Sequence, residues 1–278
     1  MRKIDLHIHT TCSDGVYSPK EIVEKAHQLD LNVIAITDHD CVKGYRQGRT
    51  YANKYGIELI PGVEISTYYK DYELHILGYF INVKNRNLKV MLRFLQAGRY
   101  KRAEKIVKNL NKFGIRINIK DIYKQSAKSG VIGRPHIANA MLEGGYIGNY
   151  NDAFVDYIGN DGPAYVQKPS YTPAQVINLV HSAGGATILA HPGILNNDFL
   201  IPDLVDMGLD GLEAFHPFHS SVQRDTYLMF AEKYNLLVTG GSDFHGINKA
   251  HDILGKAVLK EKYFQKLKDY CAAKVKNR

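Results

Sequence analysis

The chain has 278 residues, 45% of them apolar, and a net charge of +8, which allows one large α/β domain or two smaller ones with a sizeable core. No apolar run approaches the roughly 20 residues of a bilayer span. The opening Met1-Arg2-Lys3-Ile4-Asp5 is too polar for a signal peptide, so the expectation is a cytoplasmic protein with no membrane partner and no evident obligate protein partner. Three cysteines (Cys12, Cys41 and Cys271) without Cys-x-x-Cys spacing argue against a disulfide framework. The positive charge favours anionic partners, although the Lys-rich stretch from Lys256 to Arg278 supplies much of it.

In chain order, Lys3 to His7 reads as a short first strand. Ser18-Pro19-Lys20-Glu21 is a helix start, with a serine cap, proline at the first position and glutamate three residues after the cap. This helix should run to about Leu29. Asn32 to Thr37 is a continuously apolar strand, as a sheet buried on both faces requires. A helix to about Tyr55 and strands at Ile57 to Ile65 and Leu74 to Ile81 complete a β-α-β-α-β rhythm, which predicts a parallel sheet or barrel with helices outside. From about Asn87 to Tyr165 the pattern is helical, basic and tyrosine-rich. A second cap-and-proline start, Thr172-Pro173-Ala174-Gln175, opens a helix ending at Gly184-Gly185. Strands follow at Ala186 to Ala190, Gly211 to Phe215 and Leu236 to Thr239. The reading is therefore an α/β domain of residues 1–83 and 171–278, interrupted by a helical insertion of residues 84–170.

Histidines and acids recur at the strand ends. The first strand ends in His7-Ile8-His9, whose alternate side chains share a face, and Asp14 lies on the loop beyond. Later ends carry His39, Glu64, His75, His191 and the pair Asp243 and His245. In barrel folds the C-terminal strand ends converge on one mouth, so these six imidazoles and three carboxylates should meet. One Zn- or Mn-like ion takes about four to six ligands. Nine ligands imply two or three ions, with Glu64 and Asp243 as candidate bridges. Mixed imidazole and carboxylate ligation suits Mn, Fe, Zn or Co and does not choose among them. His27, His181 and His251 read as exposed helix or loop residues, and Cys12 and Cys41 as small buried or loop residues near the site.

The ordered motifs DLHIHTTCSDG, ITDHD, PGVEIS, HILGY, AHPG and GSDFHG resemble those of the polymerase and histidinol phosphatase (PHP) superfamily across nearly the whole chain. The resemblance implies a distorted (β/α)7 PHP barrel and a trinuclear centre of divalent ions (Mn, Fe, Zn or Mg), with the nine residues above as ligands. Within the superfamily the chain looks most like 3′,5′-nucleoside bisphosphate phosphatases and 5′-3′ exoribonucleases. The insertion falls where that subgroup has one. Its segments Gly98-Arg99-Tyr100-Lys101-Arg102 and Gly133-Arg134-Pro135-His136-Ile137 resemble the subgroup's substrate-binding segments.

That resemblance makes Arg99, Arg102, Arg134 and His136 candidate substrate-binding residues. Guanidinium forks bind phosphate oxygens bidentately, and Arg99 and Arg102 lie one helical turn apart. The metals would activate a water and neutralise the phosphate oxygens of a nucleotide or short RNA. His216 and His219 follow a strand end, and either is a candidate general acid or phosphate ligand. The tyrosines of the insertion read mainly as core fillers. Histidinol-phosphate phosphatase and a non-catalytic PHP module are the rival readings. The basic insertion favours a nucleotide over the first, and the complete ligand set favours catalysis over the second.

Overall fold

The structure, a computed structural model, describes residues 2–126, 131–246, 253–257 and 259–276. The first half contains β1 (Lys3–Ile8), α1 (Pro19–Gln28), β2 (Leu31–Ile36), α2 (Lys43–Tyr55), β3 (Glu58–Tyr69) and β4 (Tyr72–Tyr79). Helical elements follow: α3 (Arg86–Leu110), α4 (Ile119–Ser126), α5 (Arg134–Glu143) and a wide π-type turn at Ala153–Ile158. The α/β pattern then resumes with α6 (Pro173–Ser182), β5 (Ala186–Leu189), the short α7 (Pro192–Leu195) and α8 (Ile201–Asp206), β6 (Gly211–Phe215), α9 (Ser221–Lys233), β7 (Leu237–Gly240) and α10 (Glu261–Lys276). Both capping boxes read from the sequence form. Ser18 accepts from the Glu21 N–H and Thr172 from the Gln175 N–H, while each acid or amide side chain answers the cap's own N–H.

The seven strands form one sheet in chain order. After β7 the chain returns to β1. The His9 N–H donates to the Phe244 carbonyl at 2.9 Å, and the Val16 N–H to the His245 carbonyl at 2.9 Å. This return is compatible with the distorted seven-stranded barrel.

The sheet is not parallel throughout. β1, β2 and β3 are mutually parallel, as are β5, β6 and β7, but β4 runs antiparallel to both of its neighbours. Only Lys70 and Asp71 separate β3 from β4, with φ of +46° and +66°. Two central residues at positive φ make a tight hairpin turn of the I′ type, and so short a connection can join only antiparallel strands. β3 also runs on to Tyr69 instead of ending at Glu64. His75 therefore reaches the mouth from the early part of a reversed strand, opposite Ser66 in the register.

Two apolar layers support the strands. Ile4, Leu6, Val33, Ala35, Leu77 and Ile188 pack with Phe264 and Leu267 of α10, whereas Ile8, Ile34 and Ile36 face α1 and α2. The alternation along β2, Val33 and Ala35 to one side and Ile34 and Ile36 to the other, buries both of its faces. Packing changes partner inside α3. Leu88, Met91 and Leu95 join the cluster of α6 and the sheet, while Ala103, Ile106 and Leu110 join Ile122, Ile137 and Met141 in a separate helical cluster. Tyr100, Tyr123, Tyr150 and Tyr157 pack against that second cluster, as core fillers should.

Asp210, before β6, ties three elements together. It accepts from the Thr187 N–H (2.7 Å) and hydroxyl (2.9 Å), and it meets His181 at 2.7 Å, the Tyr270 hydroxyl and Lys274 at 3.1 Å. His181 is thus half-buried and paired, not simply exposed. His27 is exposed on α1, stacked on Tyr55, and His251 lies outside the described residues. Burial alone would raise the Asp210 pKa, but its partners, His181 first, bring it down to about 2. A depressed carboxyl adds stability that is full above its unfolded pKa near 4 and fades as pH falls toward 2. Asp210→Asn should therefore cost about 2 kcal/mol at pH 7, with the deficit shrinking below pH 4. Urea unfolding of both proteins at pH 7 and pH 3 checks this.

Candidate metal centre

The Glu64 carboxylate is the geometric centre of the mouth. It is wholly buried, held on β3 by its own N–H to the Thr37 carbonyl and by the Asp40 N–H to its carbonyl. Five imidazoles converge on it. His7 Nε2, His9 Nε2 and His39 Nδ1 lie 3.4, 3.1 and 2.9 Å from Oε2; His75 Nδ1 and His191 Nε2 lie 2.9 and 3.1 Å from Oε1. Asp243 Oδ1 stands 3.3 Å from His7 Nε2 and 3.1 Å from His9 Nε2. Asp14 completes the set, 3.4 Å from His245 Nε2 and 3.7 Å from both His9 Nδ1 and His39 Nε2. All nine residues read from the sequence as ligands thus meet in one place.

Their chemistry fits divalent cations. His7 Nε2, His9 Nε2, His39 Nδ1, His75 Nδ1, Asp14 Oδ1 and Glu64 Oε2 are buried atoms with no hydrogen-bond partner. Buried polar atoms are normally paired, so this many orphans aimed at one another need something between them. Three groupings have ligand atoms close enough to share an ion: His9, Asp14, His39 and His245; His7, His9, Glu64 and Asp243; and His39, Glu64 and His75. Burial opposes the charge on Glu64, but the imidazoles, His39 foremost, hold its pKa well below the usual range. Burial pulls His39 down to about 4, whereas Glu64 lifts His75 to about 9 and Asp14 and Asp243 lift His245 to about 10, both against burial.

Residues behind the ligands fix their orientation. Both oxygens of Glu213 lie 3.0 and 3.2 Å from His7 Nδ1, and Glu213 also accepts the His191 N–H at 2.8 Å. A carboxylate behind an imidazole keeps the proton on the rear nitrogen and turns the front lone pair toward the metal position. Asp38 accepts from Thr10 and from Ser13, whose hydroxyl is also 3.4 Å from His9 Nδ1. Asp40, His191 and Asp243 have φ of +51°, +30° and +50°, strain of order 1–3 kcal/mol each for non-glycine residues. Glu213 and Asp38 escape ligand spacing; the only sequence signal for Glu213 is an acid inside an apolar strand, Gly211–Phe215. Cys12 and Cys41 pack with Val131, and burial pushes their thiols up to about 12 and 11, which keeps them protonated.

A cavity opens beside the cluster, walled on one side by Asp14, His39 and His75 and on the other by Arg99, Arg102, Arg134 and Lys168. The four cations differ in how they are held. Arg99 is buried and bound to Asp40 (2.6 Å) and Ser66 (3.0 Å). Arg102 gives one N–H to the Val166 carbonyl at 2.5 Å, while its buried Nη2 has no partner. Arg134 opens α5, bonds Asn160 at 2.8 Å and lies 3.6 Å from Glu73; both Arg102 and Arg134 stand over the Tyr165 ring. Lys168, which no motif flags, is buried in an ion pair with Glu73, and burial lowers it to about 8. His136 accepts the Gly133 N–H and does not line the cavity. His216 directs Nε2 toward Asp243 at 3.9 Å, whereas His219 is engaged at both nitrogens, by the Ala214 carbonyl and the Gly193 N–H, each at 3.1 Å.

A family profile for the PHP domain matches residues 5–118. The chain is 36% identical over 249 residues to a 5′-3′ exoribonuclease of Haemophilus influenzae, covering 88% of this chain and 90% of that protein. The chain belongs to the PHP family. It is also 28% identical to a 3′,5′-nucleoside bisphosphate phosphatase of Chromobacterium violaceum, with 88% of each covered. A Bifidobacterium adolescentis structure classed among metal-dependent phosphoesterases superposes with a TM-score of 0.88 at 32% identity, covering 96% of this chain and 95% of that one. With relatives named as phosphoesterases and exoribonucleases over nearly its whole length, the chain is a phosphoric ester hydrolase, and none of these relatives is named for histidinol phosphate.

His75 and His245 hold protons to about 9 and 10 without metal, so ions must displace them, and affinity should rise as pH increases from 6.5 to 8.5. A competing chromophoric chelator at the two pH values measures this. Glu213→Gln should leave the fold intact and weaken metal affinity about 10- to 100-fold, read by the same titration.

Proposed function

We propose that the chain hydrolyses phosphate esters of nucleotides: the 3′-phosphate of nucleoside 3′,5′-bisphosphates, the 5′ end of short 5′-phosphorylated RNA, or both. The cavity beside the cluster carries this reading. A phosphate ester at the nine ligands would have a second phosphate within the wall of Arg99, Arg102, Arg134 and Lys168. All four cations come from residues 84–170, which we read as a substrate-binding insertion in a barrel of residues 1–83 and 171–278. The relatives named as a bisphosphate phosphatase and an exoribonuclease support the same substrate class.

The nine residues would hold three divalent ions; Mn, Fe and Zn suit a mixed imidazole and carboxylate set, whereas Mg suits only its oxygen donors. When bound, such ions supply an activated water and Lewis acidity for the phosphate oxygens. This chain's own residues do the rest. Glu213 holds the His7 ring, and Arg102, with its unpartnered Nη2, and Arg134 grip the distal phosphate and so orient the ester. Arg99 acts from behind, through Asp40 and Ser66. Glu73 keeps Lys168 and Arg134 in position until phosphate takes over as counter-ion. Of the two histidines on the loop after β6, His216 is the better proton donor to the leaving oxygen, because both nitrogens of His219 are engaged by backbone. The setting is cytoplasmic, where nucleotides and RNA ends are generated.

Adenosine 3′,5′-bisphosphate, the matching monophosphate and histidinol phosphate, each with Mn²⁺, test the substrate. A charge-assisted hydrogen bond contributes about 1.5–3 kcal/mol. Arg134→Ala should accordingly lower kcat/KM for the bisphosphate by roughly 10- to 100-fold and leave the monophosphate nearly unchanged. An intact preference for the bisphosphate would remove Arg134 from substrate binding, and activity on histidinol phosphate alone would overturn the substrate class.

A further inference from the structure

The cavity that carries the arginines has a larger neighbour. The first encloses about 170 Å³ and the second about 480 Å³. They meet along Glu73, His75 and Arg134, which line both. The larger one is also bordered by His191, so it opens onto the candidate metal cluster. Its floor is apolar, formed by buried Leu74 of β4 and by buried Leu189 and Ala190 at the end of β5. Tyr72 and Ile194 also line it and remain 42% and 53% exposed. A single exposed apolar side chain means little, but these two stand at the edge of a hollow beside the reacting centre.

The two cavities differ in charge. The smaller sets Arg99, Arg102, Arg134 and Lys168 against Asp14 and Glu73, whereas the larger sets Asp71, Glu73 and Asp161 against Arg134 alone. Neither Asp71 nor Asp161 makes an ion pair among the described residues. A phosphate is therefore drawn to the smaller cavity and repelled from the larger. Volume agrees, because pockets that enclose a small organic ligand run to roughly 300–1,000 Å³, a range only the larger one reaches. In a nucleoside 3′,5′-bisphosphate the ribose carries both phosphates and the base. With one phosphate at the cluster and the other at the arginines, the base must enter a space open to both. The larger cavity meets the cluster at His75 and His191 and the arginine wall at Arg134. Arg134 also donates to the Asn160 side-chain oxygen at 2.8 Å and to the Ile158 carbonyl at 3.3 Å, so the residue that would grip the distal phosphate also holds one wall of this cavity.

We propose that the larger cavity seats the nucleobase of the nucleotide under attack, with the apolar floor against its ring and Asp71 and Asp161 at its polar edge, and that the site therefore favours bases bearing an amino group. The proposal rests on the nucleotide reading above and deepens it from substrate class to base preference. A carboxylate accepts a hydrogen bond from the cytosine or adenine amino group. In uracil a carbonyl oxygen takes the place of the cytosine amino group and offers the acids only lone pairs. Cytosine and uracil are nearly equal in size, so comparing them isolates what the acids contribute.

The test uses Mn²⁺-loaded protein and three substrates: cytidine 3′,5′-bisphosphate, uridine 3′,5′-bisphosphate and 1-deoxyribose 3,5-bisphosphate, which lacks a base. In wild type, kcat/KM for the cytidine compound should exceed that for the uridine compound about tenfold, the effect of one hydrogen bond to a charged group at the weak, exposed end of its range. Both should exceed the baseless compound. The double variant Asp71→Asn, Asp161→Asn should bring the cytidine-to-uridine ratio close to one, because an amide both donates and accepts. Both positions are exposed, and asparagine tolerates the φ of +66° at position 71, so the fold should survive. Ile194→Ser should lower turnover of cytidine and uridine compounds alike relative to the baseless one. Binding of cytidine and uridine 5′-monophosphate, the products, should show the same ratio by calorimetry. Equal kcat/KM for the baseless and base-bearing compounds in wild type would overturn the proposal, as would a cytidine preference that the double variant retains. Failure of the nucleotide reading looks different: wild type would then turn over none of the three bisphosphates, whereas a misassigned cavity leaves turnover that ignores the base.

Discussion

A carboxylate wholly removed from water, with five imidazoles aimed at its two oxygens, sets the terms for the rest of this molecule. Desolvating a single carboxylate costs several kcal/mol unless charge and hydrogen bonds compensate. Glu64 has only one aligned hydrogen bond from these rings, that of His191. The other four approach it within 2.9–3.4 Å without bonding it. The arrangement becomes favourable when cations lie between the rings and the acids. The sheet serves that geometry. β1 and the residue after it deliver two imidazoles, the chain beyond β2 brings His39 beside Glu64, and the tight turn after β3 folds β4 back so that His75 arrives from the opposite direction.

Negative and positive charge are kept in separate parts of the chain. The strand ends supply Asp14, Glu64 and Asp243, with Asp38 and Glu213 behind them. Residues 84–170 supply Arg99, Arg102, Arg134 and Lys168. In the proposed function a phosphate ester would lie across that boundary, its reacting group toward the candidate metal ligands and its remaining charge toward the arginines. Arg102 illustrates the poise of that boundary. Burial lowers its pKa to about 10, yet one guanidinium nitrogen stays unpartnered, a cost that an incoming phosphate oxygen would relieve.

The candidate ligands were legible because metal chemistry restricts residue type and strand geometry restricts spacing: His7 and His9 share a face, and strand ends gather at a mouth. The helix starts at Ser18 and Thr172 were legible because caps are local. The reversal of β4 was not. Its turn is Lys70-Asp71, without the glycine that usually marks positive φ, and Ile57 to Ile65 looked complete without the residues beyond. Lys168 and Glu73 were missed for another reason. A buried ion pair joins residues 95 positions apart in sequence, and nothing in Gln167-Lys168-Pro169 distinguishes that lysine from a solvated one. His219 drew attention by its position after a strand, where only three-dimensional contacts reveal that backbone occupies both its nitrogens.

Anomalous diffraction from crystals grown with Mn²⁺ tests the central claim most directly. The account predicts peaks on both sides of the Glu64 carboxylate, roughly 2.0–2.2 Å from imidazole nitrogens and carboxylate oxygens, with His7 still backed by Glu213. Crystals in which those nine side chains keep their positions and no anomalous peak lies near Glu64 would contradict it.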